Sequence, residues 1–158
     1  PGIKKAKKVL KFDIASPMID QKAGEEASET FVDKNDGGKI TITSHVENSL
    51  VCVGESQVVH LTIVNESKKP VESIKVIMTS RATFKASHPD TEIKELQEKK
   101  TEVTVVERTL EEKMQPGETL EKSVTFDVPR TTCPNVKRKL VSTNNFLKIK
   151  CSVPGTCL

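Results

Sequence analysis

The sequence predicts an all-β protein, specifically an immunoglobulin-like antiparallel β-sandwich. Valine and isoleucine alternate with polar residues in several runs, and turn-forming residues separate the runs. Tryptophan and tyrosine are absent and only 5 phenylalanines occur, so the core must be built from aliphatic side chains. We expect about six or seven strands to enclose this core between two sheets.

Residues 39–81 contain the clearest alternation. Three successive runs each place three apolar residues on one face: Ile40, Ile42 and Val46; Val59, Leu61 and Ile63; and Ile74, Val76 and Met78. The segments between them, VGES at 53–56 and NESKKP at 65–70, are rich in turn-forming residues. We therefore expect these runs to form an antiparallel meander that buries one face.

Later runs continue the pattern and complete the predicted sandwich. A strand is predicted at 101–108, and another at 120–128, which places apolar residues on one face. In the last run apolar residues from Leu147 to Val153 alternate with Lys148 and Lys150, which predicts a strand with one solvent-exposed face. The stretch 135–145 between these strands is polar and basic, and Lys137, Arg138 and Lys139 within it are predicted to form a mobile loop.

Composition divides the chain into two parts. Residues 15–39 are rich in Ala, Glu, Ser, Asp and Gly, which is typical of a linker. We expect residues 1–37 to be the end of a preceding domain with its linker, and residues 38–158 to be the sandwich. The lysines within residues 1–11 indicate a solvated segment or a lysine-protected edge strand; the alternative is a contact for acidic lipid head groups.

Charge and motifs argue against several classes of function. The net charge is only +3, which is far less basic than is usual for nucleic-acid binding. No apolar run approaches the ~18 residues of a membrane span. The histidines His45, His60 and His88 accompany no recognisable nucleophile motif or phosphate loop. The sequence therefore predicts a protein that is not an enzyme and needs no cofactor.

The remaining motifs do not predict a metal site. Segment 33–38 resembles a calcium loop but lacks the required carboxylates, so we interpret it as a turn. Asn65 begins an N-glycosylation triplet, which we also interpret as a turn. The 4 cysteines form no CxxC pair, which disfavours zinc. We expect free thiols in a reducing compartment, with a Cys52–Cys133 disulfide as the alternative for a secreted protein.

Four stretches, in this order, resemble the C-terminal domain of arrestin-fold proteins. They are 38–47 followed by Cys52-Val53-Gly54-Glu55, then VVHLTIVNE at 58–66, VESIKV at 71–76, and FLKIKCSVPG at 146–155. The resemblance covers residues 38–158 and is strongest to the α-arrestin, or arrestin-domain-containing, branch. The family's last strand should follow Val153-Pro154-Gly155. The sequence ends three residues later, so either that strand is missing or residues 7–14 complete the sheet.

The resemblance implies a non-catalytic intracellular adaptor. Its expected partners are the tails of membrane receptors or transporters and components of the endocytic or ubiquitin-ligase machinery, in the cytoplasm, at the plasma membrane or on endosomes. Two alternatives stay open: an extracellular immunoglobulin-like structural or adhesion module, and a retromer-type trafficking subunit of the same fold.

The resemblance also implies anionic-ligand contacts on this domain. Lys75 occupies a basic position that receptor arrestins use to hold an inositol phosphate, and Arg81 lies nearby. The loop that carries Lys137, Arg138 and Lys139 is basic, where receptor arrestins have an acidic phosphate-sensing loop. We expect these five residues to contact anionic ligands, including acidic lipid.

Overall fold

The computed structural model describes residues 3–15, 23–32, 38–48, 50–86 and 97–154. Within these residues the chain forms ten strands and no helix. In chain order the strands are β1 (Ile3–Ala15), β2 (Ala23–Val32), β3 (Lys39–Asn48), β4 (Leu50–Cys52), β5 (Ser56–Glu66), β6 (Ser73–Ala86), β7 (Gln97–Leu110), β8 (Thr119–Asp127), β9 (Val136–Lys137) and β10 (Val141–Pro154). The prediction of an all-β fold is confirmed, with more strands than the six or seven expected.

The strands form two sheets that share one aliphatic core. The larger sheet has the order β4-β1-β10-β6-β7, with β9 paired to β10, and the smaller sheet has the order β2-β3-β5-β8. Among the described strands the pairings are antiparallel, except for a short parallel contact between β1 and β4. This arrangement confirms the predicted antiparallel sandwich.

The predicted meander is wrong at its third strand. β3 and β5 pair as expected, but β5 pairs next with β8, while β6 lies in the other sheet between β10 and β7. The chain crosses between the sheets at 67–72, where Val71 forms an isolated bridge with Met114. Alternation identifies the buried face of a strand, but either sheet of a sandwich can bury that face.

Two strands precede residue 38. β2 pairs with β3, so the interpretation of residues 15–39 as a linker is wrong for 23–32. This strand forms despite a composition poor in β-branched residues, because its neighbour supplies the hydrogen bonds. β1 pairs with β10 from Ile3 to Phe12, as expected if residues 7–14 complete the sheet. The division into a preceding domain at 1–37 and a sandwich at 38–158 stays a prediction.

The buried face of each central strand follows the predicted alternation. β5 buries every second residue from Gln57 to Asn65, and Ile42, Leu61 and Ile63 are among the largest fully buried side chains. Burying one such side chain contributes about 1.5–3 kcal/mol, so each of these positions stabilises the sandwich substantially.

The Asn65 side chain links the β5–β6 connection to the β7–β8 connection at one end of the core. Its side-chain amide donates to the Lys69 carbonyl at 2.9 Å and to the Gln115 carbonyl at 3.3 Å. Its Oδ1 accepts the Ser67 N–H at 3.1 Å and the Ser67 hydroxyl at 2.6 Å. The Asn65 side chain is fully buried and hydrogen-bonded, so in the folded domain it cannot act as a glycan acceptor.

The larger sheet extends beyond the smaller sheet at one end. β6, β7 and β10 have 14 residues each, whereas the strands of the smaller sheet have 9 to 11. The additional length is formed by 80–86, 97–104 and 141–144, which pair with one another and are mostly half-buried or exposed. We call this part of the larger sheet the overhang.

Candidate functional site

Two of the residues predicted to bind anions, Lys75 and Arg81, lie on the outer face of β6. They alternate with Ile74, Val76 and Met78, which point into the core. Each cation pairs with a carboxylate of β7: Lys75 Nζ lies 2.5 Å from Glu107 Oε1, and Arg81 Nη2 lies 2.9 Å from Glu102 Oε2.

The Glu102 carboxylate also forms an ion pair with Lys148 of β10. Only 7% of the Lys148 side chain is exposed, so the prediction that this residue lies on a solvent-exposed face is wrong. The neighbouring Phe146 is buried as well, and the Arg81 guanidinium lies 4.8 Å from the centre of its ring. A lysine is tolerated at such a position only when its charge is paired.

We call Lys75, Arg81, Glu102, Glu107 and Lys148 the ladder face. A hydrogen bond from the Lys75 ammonium holds the pKa of the Glu107 carboxyl below its usual value, and the charge of Lys150 acts in the same direction. An anionic ligand at Lys75 or Arg81 would therefore compete with carboxylates already in place. Exposed ion pairs of this kind contribute little stability, so a multiply charged ligand can displace the carboxylates.

The basic residues Lys137, Arg138 and Lys139 lie beside the start of β10, at the end of this strand that is far from Lys75. Lys137 belongs to β9, which pairs with Ser142 and Thr143, and the Arg138 N–H donates to the Val141 carbonyl at 2.9 Å. The predicted loop is therefore a tight hairpin, and only residues 138–140 connect its strands. All three cations are exposed, and no ion pair joins them to another described residue.

The structure does not bring the five predicted cations into one cluster. In the strand register Lys75 lies opposite Lys150 of β10, whereas Lys137 lies opposite Ser142, eight positions away along the same strand. At ~3.3 Å per residue this separation is roughly 26 Å. Arg81 lies nearer the hairpin, because its partner on β10 is Asn144. The predicted contacts therefore form two separate surfaces.

A histidine cluster occupies the outer face of the smaller sheet. His60 Nδ1 lies 2.7 Å from Ser123 Oγ, and His60 Nε2 lies 3.1 Å from Glu47 Oε1. The His45 ring stacks on His60 with centroids 6.0 Å apart. In a Ser-His-Asp triad Nε2 contacts the serine and Nδ1 contacts the carboxylate, whereas in His60 Nδ1 contacts the serine and Nε2 contacts the carboxylate. Because 40% of the His60 side chain is exposed, water reaches this ring, whereas His45 Nδ1 is buried.

Cysteine and acidic side chains form no metal site in the described residues, where no three potential ligands converge. Cys52, Cys133 and Cys151 are free thiols, and the alternative Cys52–Cys133 disulfide is not formed. The calcium-like segment 33–38 falls almost entirely outside the described residues. No helix long and apolar enough to span a membrane occurs in the part of the chain that the structure describes.

Sequence reasoning missed Glu102, Phe146 and Lys148. Opposite charges on successive strands indicate that ion pairs can form, but their assignment needs the register between β6, β7 and β10. That register includes a bulge at Met78/Thr79, which shifts every pair beyond it. No local sequence signal places this bulge.

Comparison with protein families identifies the chain. Residues 36–158 match the model for the C-terminal domain of arrestin, also called S-antigen. No curated protein matches the chain significantly. The matched segment includes β3 to β10, which contribute strands to both sheets, and it contains all the described residues of the shared core. The chain therefore belongs to the arrestin C-terminal domain family.

Proposed function

We propose that this chain is a non-catalytic adaptor domain of the α-arrestin type. In this role it links the cytoplasmic tails of membrane receptors or transporters to endocytic, ubiquitin-ligase or other trafficking components. It acts in the cytoplasm and is recruited to the plasma membrane or to endosomes.

The match to the arrestin C-terminal domain over residues 36–158 carries this proposal. That family suggests a non-catalytic adaptor role in trafficking or signalling. The two-sheet architecture is compatible with such a role, because exposed sheet faces and edges can bind partner segments without a reaction pocket.

The burial of Asn65 favours this proposal over an extracellular module. An exported domain would gain little from a glycosylation triplet whose acceptor lies inside the fold. A thiol titration of the unfolded, unreduced protein separates the two compartments. We expect every cysteine to react; complete absence of reactive thiols would contradict the intracellular location.

Proximity labelling tests the adaptor role. The full chain, fused to a biotin ligase, is compared with the ligase alone in living cells. We expect membrane-protein tails together with coat or ubiquitin-ligase components to be enriched. Enrichment of neither class over the ligase alone would contradict the proposed function.

The anionic contacts belong to the same proposal. Lys75 and Arg81 on the ladder face, and Lys137, Arg138 and Lys139 on the hairpin, favour acidic partners, including acidic lipid. Flotation with phosphatidylcholine vesicles, with and without phosphatidylserine, measures this contribution. Replacement of the three hairpin cations by alanine is expected to reduce binding to the anionic vesicles. Equal binding to neutral vesicles would remove acidic lipid from the proposal.

A further inference from the structure

The overhang has an uncovered apolar surface on its core-facing side. Residues directly opposite each other on paired strands share a face, so the register defines rows across the sheet. The rows beyond Met78 and Leu147 are Val103–Ser80–Asn145, Thr101–Ala82–Thr143–Val136 and Lys99–Phe84–Val141. Four of the large hydrophobic residues that are exposed in the described chain lie in these rows: Phe84, Val103, Val136 and Val141. Such a concentration of exposed apolar side chains is typical of an interaction surface.

A groove separates these rows from residues 129–133, which follow β8. Its volume is about 440 Å³, and Val103, Ala82 and Thr143 line the sheet side. Pro129, Thr131 and Thr132 line the other side. The volume admits a large apolar side chain. The Thr132 hydroxyl is buried, has no hydrogen-bond partner among the residues that the structure describes, and can serve a polar group of a ligand.

Positive charge surrounds the apolar rows. Lys99 lies opposite Phe84, and the hairpin cations Lys137, Arg138 and Lys139 follow Val136. None of these exposed cations is ion-paired within the described chain, in contrast to the cations of the ladder face. Unpaired cations beside an apolar groove favour a partner that carries negative charge next to an apolar group.

The groove runs beside a sheet edge that no other described strand occupies. β7 is the terminal strand of the larger sheet, and its residues 97–104 are exposed. An extended segment placed along this edge can form main-chain hydrogen bonds and direct alternate side chains toward Val103. The bulge next to Thr79 interrupts the register, so only a short segment can pair there.

We propose that the overhang groove binds a short extended peptide in which a large apolar residue is flanked by acidic residues. The apolar side chain fills the groove beside Val103, and a flanking carboxylate pairs with Lys99. The hairpin cations, three strands away across the overhang, attract the acidic segment at longer range. A bilayer surface would leave the concave groove unfilled, which favours a peptide. This inference rests on the proposed adaptor function, because it names the chemistry of a partner segment.

Selection from random-sequence peptides displayed on phage tests the inference with the purified full chain. We expect the selected peptides to share a large apolar residue next to Asp or Glu. Val103→Glu should weaken their binding at least about tenfold, because it places a charge at the groove and repels the flanking acids. Thr109→Glu is the matched control, since it adds the same charge to an exposed β-branched position of β7 away from the overhang.

Lys99→Glu keeps the test decisive if Val103→Glu does not fold, because Lys99 is exposed and forms no ion pair with another described residue. It should weaken binding, whereas Lys113→Glu should not. Recovery of no peptide, selection of peptides without acidic residues, or equal losses for Val103→Glu and Thr109→Glu would overturn the inference. The inference would also be overturned if Val103→Glu abolished binding to phosphatidylserine vesicles but left peptide binding unchanged. These failures leave the proximity-labelling result unchanged and are thus distinct from failure of the adaptor role.

Discussion

The carboxylate of Glu102, on the edge strand β7, forms an ion pair with the buried ammonium of Lys148, two strands away on β10. Glu107, on the same strand, instead pairs with Lys75, which is half-exposed. The two carboxylates have similar exposure, so they differ in the burial of Lys148 and in the second cation, Arg81, that Glu102 also pairs with. Removing the charge that compensates a buried cation costs more than removing an exposed partner.

Glu102→Gln should therefore lower the free energy of unfolding by about 1–3 kcal/mol. Glu107→Gln, the matched control, should lower it by much less. Denaturant-induced unfolding of both variants measures the difference. Equal costs would show that Lys148 does not depend on Glu102.

The Lys75–Glu107 pair should make stability depend on acidic pH. The pKa of Glu107 is lower in the folded chain than its ordinary value of 4.5, chiefly through the hydrogen bond from Lys75. Its contribution is present above that ordinary value, and it is lost as pH falls through the lowered folded value. Lys75→Gln should raise the Glu107 pKa toward its ordinary value, which carbon-detected carboxyl titration measures. An unchanged titration would contradict the observed pairing.

The cysteines should differ in their reaction with a thiol reagent at mildly alkaline pH. Burial raises the pKa of the Cys151 thiol to about 12, so the reactive thiolate is scarce there. Cys133 is exposed and should react readily in the native protein. Mass-spectrometric mapping after brief labelling should show modification of Cys133 in the native protein. Cys151 should be modified only after unfolding. Native labelling of Cys151 as fast as Cys133 would contradict its burial.

Asn65→Ala should destabilise the fold by about 1–3 kcal/mol, because it leaves the Lys69 and Gln115 carbonyls and the Ser67 N–H without this partner. Asn144→Ala, at a partly exposed position, should cost less than about 0.5 kcal/mol. Thermal unfolding of the two variants compares them directly. A smaller loss for Asn65→Ala than for Asn144→Ala would disprove the role of Asn65 at this junction.

The sequence predicted which face of each strand is buried better than it predicted which strands are neighbours. Alternation correctly assigned Ile42, Leu61 and Ile74 to the core, since a period of two depends only on the strand itself. It could not place β6 in the second sheet or detect β2, because these depend on pairing between distant segments. The burial of Lys148 and the overhang groove also required the register. Both lie where residues from three strands meet.

Cross-linking of the full chain to partners captured in cells, followed by mass spectrometry, tests the central claim most directly. The claim is that partners are recognised on the exposed overhang. An amine-reactive cross-linker should join partners mainly to Lys99, Lys100, Lys137 and Lys139. Cross-links that instead concentrate on the exposed Lys39, Lys68 and Lys113, away from the overhang, would contradict the account.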